Sequence, residues 1–461
     1  MPGFRLFFFG FILHRSPREA GGGSPPPMTS TAQPRPAPRL YYGWIIVGLG
    51  FVTLAFQVVY RFSFSIFQIP LIAEFGWSRG TLSWAFSLSL LIYALSSPYI
   101  GSLLERHGPR AIMPWGCALV AVASLLGYFI NTIWHVYLVI GLLGGIGLAL
   151  NGFATNSAIM PRWFMRFRGR ATGITLSGIG IGILVLLPLT ERMIALWGWR
   201  LAYVGYGLFV LLVITPMSYF VMRDRPGDVG QNRDGAATEP DPGGNGDPSS
   251  QAPVDKSVKT VFLSLKGDHR FWCMMFVYFA VGLNNNTIIS LIALYLKDIG
   301  FSVAALALII GMVGFLRTFG SISGGWLGDR IGRGPGTAIS AAVVGLGLVL
   351  LLFLPVWGGG LLLAYIFAVI YGIGIGGMSS CGSALGGDIF EGPTYAVIVG
   401  FTEIAYGMGG VVGPPFAGYY FQFTGSYVVP IILIILLILI SIPVVLHLQK
   451  TLGPRQAGDA G

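Results

Sequence analysis

Three ionisable side chains sit where long apolar runs leave them little water: Arg61 in "VVYRFSFSIF", Arg317 in "GMVGFLRTFGS" and Glu403 in "VGFTEIAYGMGG". A charge in such a run costs at least about 2.5–3.5 kcal/mol, which makes the groups that persist there functional candidates. Two cations against one carboxylate leave a positive interior, and that favours an anionic ligand. A guanidinium suits a carboxylate, because its planar fork makes two parallel charged hydrogen bonds. Arg317 is the first choice for holding such a group; its other role is structural, as a partner of Glu403 or of backbone carbonyls. Arg61 either contacts the ligand or extends its head to the outer headgroups. Glu403 either carries an exchangeable proton or serves as a hydrogen-bonding group beside the flexible Gly407–Gly413 segment. Asn284, Asn285 and Asn286 are three consecutive amides that cannot all face an apolar medium cheaply, so at least one faces a cavity or a neighbouring helix. Tyr60, Asn151, Asn156, Tyr371 and Tyr406 are further candidates, each with helix–helix hydrogen bonding as its other explanation. The set carried forward as ligand-contacting is Arg317, Arg61, Asn284, Asn285, Tyr60 and Tyr406.

The elements that position these groups follow from composition. Of 461 residues, 54% are hydrophobic and only 10% charged, against about 25% charged in soluble domains. Mean hydropathy is +0.74. Apolar runs of membrane-spanning length recur between Tyr41 and Leu448, each enough to cross a core of roughly 30 Å. A polytopic all-α membrane protein is the reading. Twelve spans are expected near 42–67, 80–103, 112–130, 134–158, 170–191, 201–222, 270–296, 303–327, 335–355, 359–381, 394–420 and 427–448. They form an N-terminal six-helix bundle over 41–222 and a C-terminal one over 270–449. The polar, Gly/Pro-rich stretch 223–269 lacks an apolar period and reads as a disordered linker. The tail 1–40 reads as disordered, with Gly21–Pro38 rich in Gly and Pro; 450–461 is a short C-terminal tail. The apolar piece 4–13 is too short to span and no small-residue cleavage site follows it, against a signal peptide. Met28 is a second plausible start, so 1–27 reads as an upstream extension.

Charge placement gives orientation. Of 28 Lys and Arg, Arg61 and Arg317 lie within spans, and Arg79, Arg192, Arg200 and Lys297 lie in odd-numbered loops. The remaining 22 lie in the tails and the even-numbered loops. That asymmetry places both termini and the linker in the cytoplasm. It also removes the nucleic-acid reading of the net charge of +10. Cys117, Cys273 and Cys381 all fall in apolar runs without a CxxC, so neither a disulfide framework nor a metal site is implied. No G-x-x-x-x-G-K-[ST] occurs, which excludes an ATP-driven pump on this chain. No nucleophile–base constellation supports an enzyme, and no cofactor is implied.

The two halves repeat each other. Gly101-Ser-Leu-Leu-Glu105-Arg106-His-Gly108 and Gly325-Trp-Leu-Gly-Asp329-Arg330-Ile-Gly332 share the pattern G-x-x-x-[DE]-R-x-G, 224 residues apart. Pro188 with Gly198 and Pro415 with Gly425 repeat at 227. Parallel six-helix repeats place a substrate site between the halves, near the bilayer midplane. With these motifs the chain from Tyr41 to Leu448 resembles the major facilitator superfamily. The segments "YYGWIIVGLGF", "EFGWSRGTLSWAFSL", "RWFMRFRGRATGI" and "GWRLAYVGYG" are similar to its bacterial monocarboxylate-transporter-like branch, which includes oxalate/formate exchangers.

The resemblance implies two rocking bundles and transport of small organic anions, often with a proton. It also implies that Glu105 with Arg106 and Asp329 with Arg330, beside Gly101 and Gly325, latch neighbouring helix ends as a cytoplasmic gate. Plain positive-inside anchoring is the alternative for those charges. In that branch the arginine of the eighth helix sits at the position of Ser321. Here Arg317 is one turn earlier, about 6 Å along the axis. Val313 stands where an acidic residue often precedes that arginine, and Phe62 where the family has a lysine. The function expected is a monocarboxylate-like anion transporter of the cell inner membrane, with the proton and the lipid bilayer as partners and the chain acting as a monomer. The alternatives are an organic anion exchanger and a proton-coupled exporter of drug-like amphipathic compounds. A sensor on a transporter scaffold would need a folded cytoplasmic domain, which the linker does not provide.

Overall fold

Apolar runs interrupted by Gly, Pro and short charged segments give helices broken at those interruptions, since a backbone without water must satisfy its own hydrogen bonds. The computed structural model describes residues 41–77, 79–235, 257–355 and 360–452. The tail 1–40, the linker residues 236–256 and the tail residues 453–461 lie outside the described residues, and so do the expectations placed on them. No β-strand occurs among the described residues.

The helices are α1 (Gly43–Phe75), α2 (Arg79–His107), α3 (Pro109–Leu126) and α4 (Ile133–Trp163). The run Arg168–Val221 bends at Gly198 (φ 77°) into α5 (168–197) and α6 (199–221). The second half comprises α7 (His269–Asp298), α8 (Val303–Ile331), α9 (Arg333–Phe353), α10 (Leu361–Ile389), α11 (Tyr395–Thr424) and α12 (Val428–Thr451). Ten stretches of the described residues are long and apolar enough to cross a membrane. One of them is the bent α5–α6 run; α7, a helix of 30 residues, is not among the ten. Outward faces are apolar as well as inward ones: α12 buries Ile431, Ile434 and Ile438 and exposes Leu433, Leu436 and Ile440. A helix apolar all round belongs in lipid.

The loop pattern earns its glycines in two ways. Gly108 and Gly332, which close the two copies, have φ of 78° and 95°, a region that favours glycine. Each sits between two successive helices and lets α3 and α9 fold back sharply. Gly101 and Gly325, which open the copies, lie against the backbone of the opposite bundle: Gly101 on Ala396, Gly325 on Gly169. In this way α2 packs on α11 and α5 packs on α8. Pro98 against Gly400 extends the first seam. Tyr41 and Gln449, near the two ends of the bundles, bond to Trp163 and Gly334, so both ends lie where the loop patterns lie. This is called the motif end below.

Two expectations are corrected. The first span runs on to Phe75 through Pro70 and ends at Gly76 in the left-handed conformation. The linker is not wholly without structure: 226–229 and 233–235 form 3-10 turns and Val258–Leu265 is a helix. Val258, Val261 and Leu265 do carry a helical stripe, but over eight residues it is too short to stand out as a period.

Candidate functional site

Midway along the helices the polar candidates separate into two linked groups. On α8, Arg317 Nη1 donates to Asn285 Oδ1 of α7 at 3.4 Å. The same amide donates through Nδ2 to the Tyr406 hydroxyl of α11. Three residues before Tyr406, on the same side of α11, stands Glu403, only 4% exposed. Its Oε2 accepts a 2.8 Å hydrogen bond from the hydroxyl of Tyr93 on α2, so the contact crosses from one bundle to the other. Arg61 on α1 lies over the rings of Phe62 and Tyr93, at 5.7 and 5.8 Å. Neither Arg61 nor Arg317 is within ion-pair distance of a carboxylate among the described residues. One cation therefore comes from each bundle, and each is held by neutral or aromatic neighbours.

The remaining sequence candidates go elsewhere. Tyr60 points 100° away from Arg61 around α1, into its own bundle, where its hydroxyl reaches Val139 O at 3.4 Å beside the Tyr206 ring. It is a packing residue of the N-terminal bundle. Asn284 is fully buried inside the C-terminal bundle, accepting from the Tyr371 hydroxyl at 3.4 Å while its Nδ2 has no partner among the described residues. Asn286 donates to Gly282 O within α7. Asn151 and Asn156 bond within α3 and α4.

At the motif end the two loop-pattern acids cap helices of the opposite bundle. Glu105 accepts from the Ala396 N–H at 3.0 Å, at the start of α11, and pairs with Arg162 of α4 at 2.9 Å. Asp329 accepts from the Gly169 and Arg170 N–H groups, each at 2.8 Å, at the start of α5. Carboxylates at helix N-termini are favoured by the backbone dipoles there. Arg330 is not placed as the resemblance implied. Arg330 lies 3.8 Å over the Trp326 ring, exposed, and Asp329 pairs instead with Arg333 at 3.4 Å. Arg106 borders a groove with Tyr99, Lys259 and Phe262. The reason is geometric: residues adjacent in a helix point about 100° apart, so an acid that turns to the opposite bundle sends its neighbour away from it.

Sequence reading missed the denser half of this network. Arg168, 1% exposed, pairs with Asp388 at 2.5 Å and Glu391 at 3.4 Å across the bundles. Arg333 also pairs with Asp388, and donates to Met165 O at 2.9 Å. From the linker, Arg233 pairs with Glu391 at 2.9 Å, while Asp234 accepts from the Met165 and Arg166 N–H groups at 2.9 and 2.8 Å. One signal was available: the loop after α10 holds Glu391 and no Lys or Arg, an acidic spot on the basic side. The hydrogen bonds and ion pairs joining the bundles run from the middle of the molecule to the motif end, which is closed.

A repeated six-helix bundle, sealed at the motif end and with polar groups between the halves, is matched by a known family. The sequence model of the Major Facilitator Superfamily matches residues 48–385 and, a second time, 274–460. The chain belongs to the major facilitator superfamily. Its relatives include Monocarboxylate transporter 13 of Rattus norvegicus, 25% identical over 402 residues that make up 84% of each chain. Monocarboxylate transporter 2 of Homo sapiens is 25% identical over 412 residues, 87% of this chain and 84% of that one. Monocarboxylate transporter 11 of Homo sapiens is 27% identical over 419 residues, 87% and 82% of the two. As a member of this superfamily similar to monocarboxylate transporters, the protein is a multi-pass membrane transporter and not an enzyme.

Proposed function

We propose that this transporter moves a small monocarboxylate-like anion across a cell inner membrane by alternating access, with proton symport as the coupling. The observation that carries the reading is the pair of in-span guanidiniums, one from each bundle, neither ion-paired to a carboxylate among the described residues. A carboxylate drawn between Arg317 and Arg61 would meet a charge on each half, so its arrival would favour the halves coming together. Asn285 and Tyr406 orient the Arg317 guanidinium, and Glu403 is the one in-span carboxylate beside the site able to carry a proton. The names of the relatives support the substrate class. The excess of Lys and Arg in the tails and even-numbered loops supports a cytoplasmic motif end. The closed state described then faces outward, with Gly101, Glu105, Arg106, Gly325 and Asp329 as its gate and the chain working as a monomer. Anion exchange is the second reading, favoured by the same surplus of positive charge: a site with two cations and one carboxylate resets most readily when an anion fills it.

The test is counterflow of labelled lactate, pyruvate, formate, oxalate and acetate into proteoliposomes, with wild type beside Arg317→Gln and with and without a pH gradient. Saturable uptake that the substitution removes supports the anion site, and its response to the gradient separates symport from exchange. No uptake of any of these anions by folded wild type sinks the substrate class.

A further inference from the structure

The sequence offers Tyr93 no distinction: it is one tyrosine in the apolar run "SLLIYALSSPYI". In the structure it is 5% exposed, at the seam of α2 and α11. Its hydroxyl makes the 2.8 Å bond to Glu403 Oε2 across the bundles, and its ring lies under Arg61. Below this level towards the motif end the seam closes on backbone: Gly400 on Pro98, then Gly101 on Ala396. The Tyr93–Glu403 bond is thus the last polar contact of this seam before the cluster of candidate ligand groups, and parting α2 from α11 breaks it.

The geometry points to Tyr93 as a positioning residue that holds Glu403 across the bundle seam, so that closure of the motif end responds to whether Glu403 carries a proton. This deepens the proton-coupling reading and rests on it. An ionised carboxylate accepts a charge-assisted bond from the phenol; a protonated one offers only a neutral bond, and charge-assisted bonds are roughly twice as strong. The bond exists only when the seam is shut, where burial of Glu403 disfavours the ionised carboxylate; the phenol therefore offsets part of that cost, and without it ionisation would open the seam more strongly. The ionisable groups around Glu403 are Arg61 from α1, Tyr93 from α2, Tyr278 from α7 and, one turn along α11, Tyr406. Of these only Tyr93 donates a hydrogen bond to the carboxylate in the closed state.

The experiment uses the full chain in liposomes, its three native cysteines replaced by alanine, with spin labels at His107→Cys on α2 and Ile331→Cys on α8. Both positions are exposed at the motif end, one on each bundle. Pulsed electron–electron distance measurements between pH 5 and 8 report the closed fraction. Expected is a closed-to-open ratio that falls with pH about tenfold further in Tyr93→Phe than in wild type, the scale of the difference between a charged and a neutral hydrogen bond. Tyr93→Phe keeps the ring beneath Arg61 and removes only the hydroxyl. Glu403→Gln removes the part of the pH response that this carboxylate carries, and the double variant matches Glu403→Gln alone. The pairs formed by Glu105, Asp329, Asp388 and Glu391 remain in all variants, so their own titration cancels from the comparison. A Tyr93→Phe variant with the full wild-type pH response overturns the proposal. If Tyr93→Phe does not fold, a wild-type response in Glu403→Gln overturns it equally. The distance readout needs no substrate: failure to transport any carboxylate sinks the functional reading alone, and a Tyr93→Phe response equal to wild type beside intact proton-coupled transport sinks the role of Tyr93 alone.

Discussion

The most exposed consequence of the architecture is steric, and it concerns Gly325. A Cβ placed there would collide with the Gly169 carbonyl oxygen and stand 2.7 Å from its carbon and 3.3 Å from the Arg170 nitrogen. Ordinary carbon contacts need about 3.5–4 Å, so α5 and α8 would have to part by roughly 1 Å. The obstacle is backbone and no rotamer change relieves it. The same displacement would stretch the two 2.8 Å bonds from Gly169 and Arg170 to Asp329, one turn away. Overpacking of this kind costs about 1–3 kcal/mol, and here only in the closed state, because an open motif end holds the two helices apart. Gly325→Ala is therefore expected to lower the closed-to-open ratio about 5–150-fold, the equivalent of that energy. Gly311→Ala, on the same helix with nothing within 4 Å, is the control. Both changes gain helix propensity, about 1 kcal/mol, and gain it in both conformations. Distances between labels at positions 107 and 331 give the ratio, and counterflow gives the consequence for turnover. A Gly325→Ala protein as closed as the Gly311→Ala control would refute the reasoning that this seam is the gate.

Other substitutions probe the remaining parts. Arg317→Lys keeps the charge and loses the planar fork, so KM for the transported anion should rise about tenfold or more while Arg317→Gln abolishes saturable uptake; equal transport by both and wild type would remove Arg317 from the site. Tyr60→Phe should leave KM unchanged and cost at most about 0.5–1.5 kcal/mol of stability, the worth of a single hydrogen bond, read by thermal unfolding beside counterflow. Asp234, at φ 58°, is the one described non-glycine residue with positive φ, and asparagine tolerates that conformation. Asp234→Asn therefore isolates the carboxylate's bonds to the 165–167 backbone, and the closed-to-open ratio should fall several-fold in the same distance assay.

The fold was legible because its signals are redundant: each crossing is a long apolar run, and two glycine-framed loop patterns recur at one offset. Gly101 and Gly325 could be picked out, yet not what they touch, since close approach of two backbones leaves no mark beyond the glycines themselves. Arg317 and Glu403 stood out because a charge in an apolar run is costly. Tyr93 did not, because tyrosine in a membrane helix is ordinary and only the fold brings it to a carboxylate 310 positions away. Tyr60 shows the complementary case: it adjoins Arg61 in sequence, and helical rotation sends it into its own bundle. Arg168 and Asp388 were invisible as a pair because each lies at a helix end, where charges are expected in any membrane protein.

The arrangement of polar groups along the seams carries a mechanical implication. At the motif end the acids accept from backbone N–H groups at the starts of α5 and α11, donors that every helix N-terminus leaves unpaired within the helix. When the seam opens there, both sides of each bond meet water at the membrane edge, so parting them is inexpensive. Deeper in, water is scarce and an unpaired carboxylate is costly; on the α2–α11 seam the single side-chain bond at that depth is Tyr93 to Glu403 among the described residues. The barrier to opening is then set less by the number of ion pairs at the rim than by what satisfies Glu403 once Tyr93 withdraws. A proton would satisfy it, and so would a reoriented Arg61. Rim substitutions should accordingly move the resting balance between conformations, whereas substitutions at Tyr93, Arg61 and Glu403 should change how that balance answers to pH.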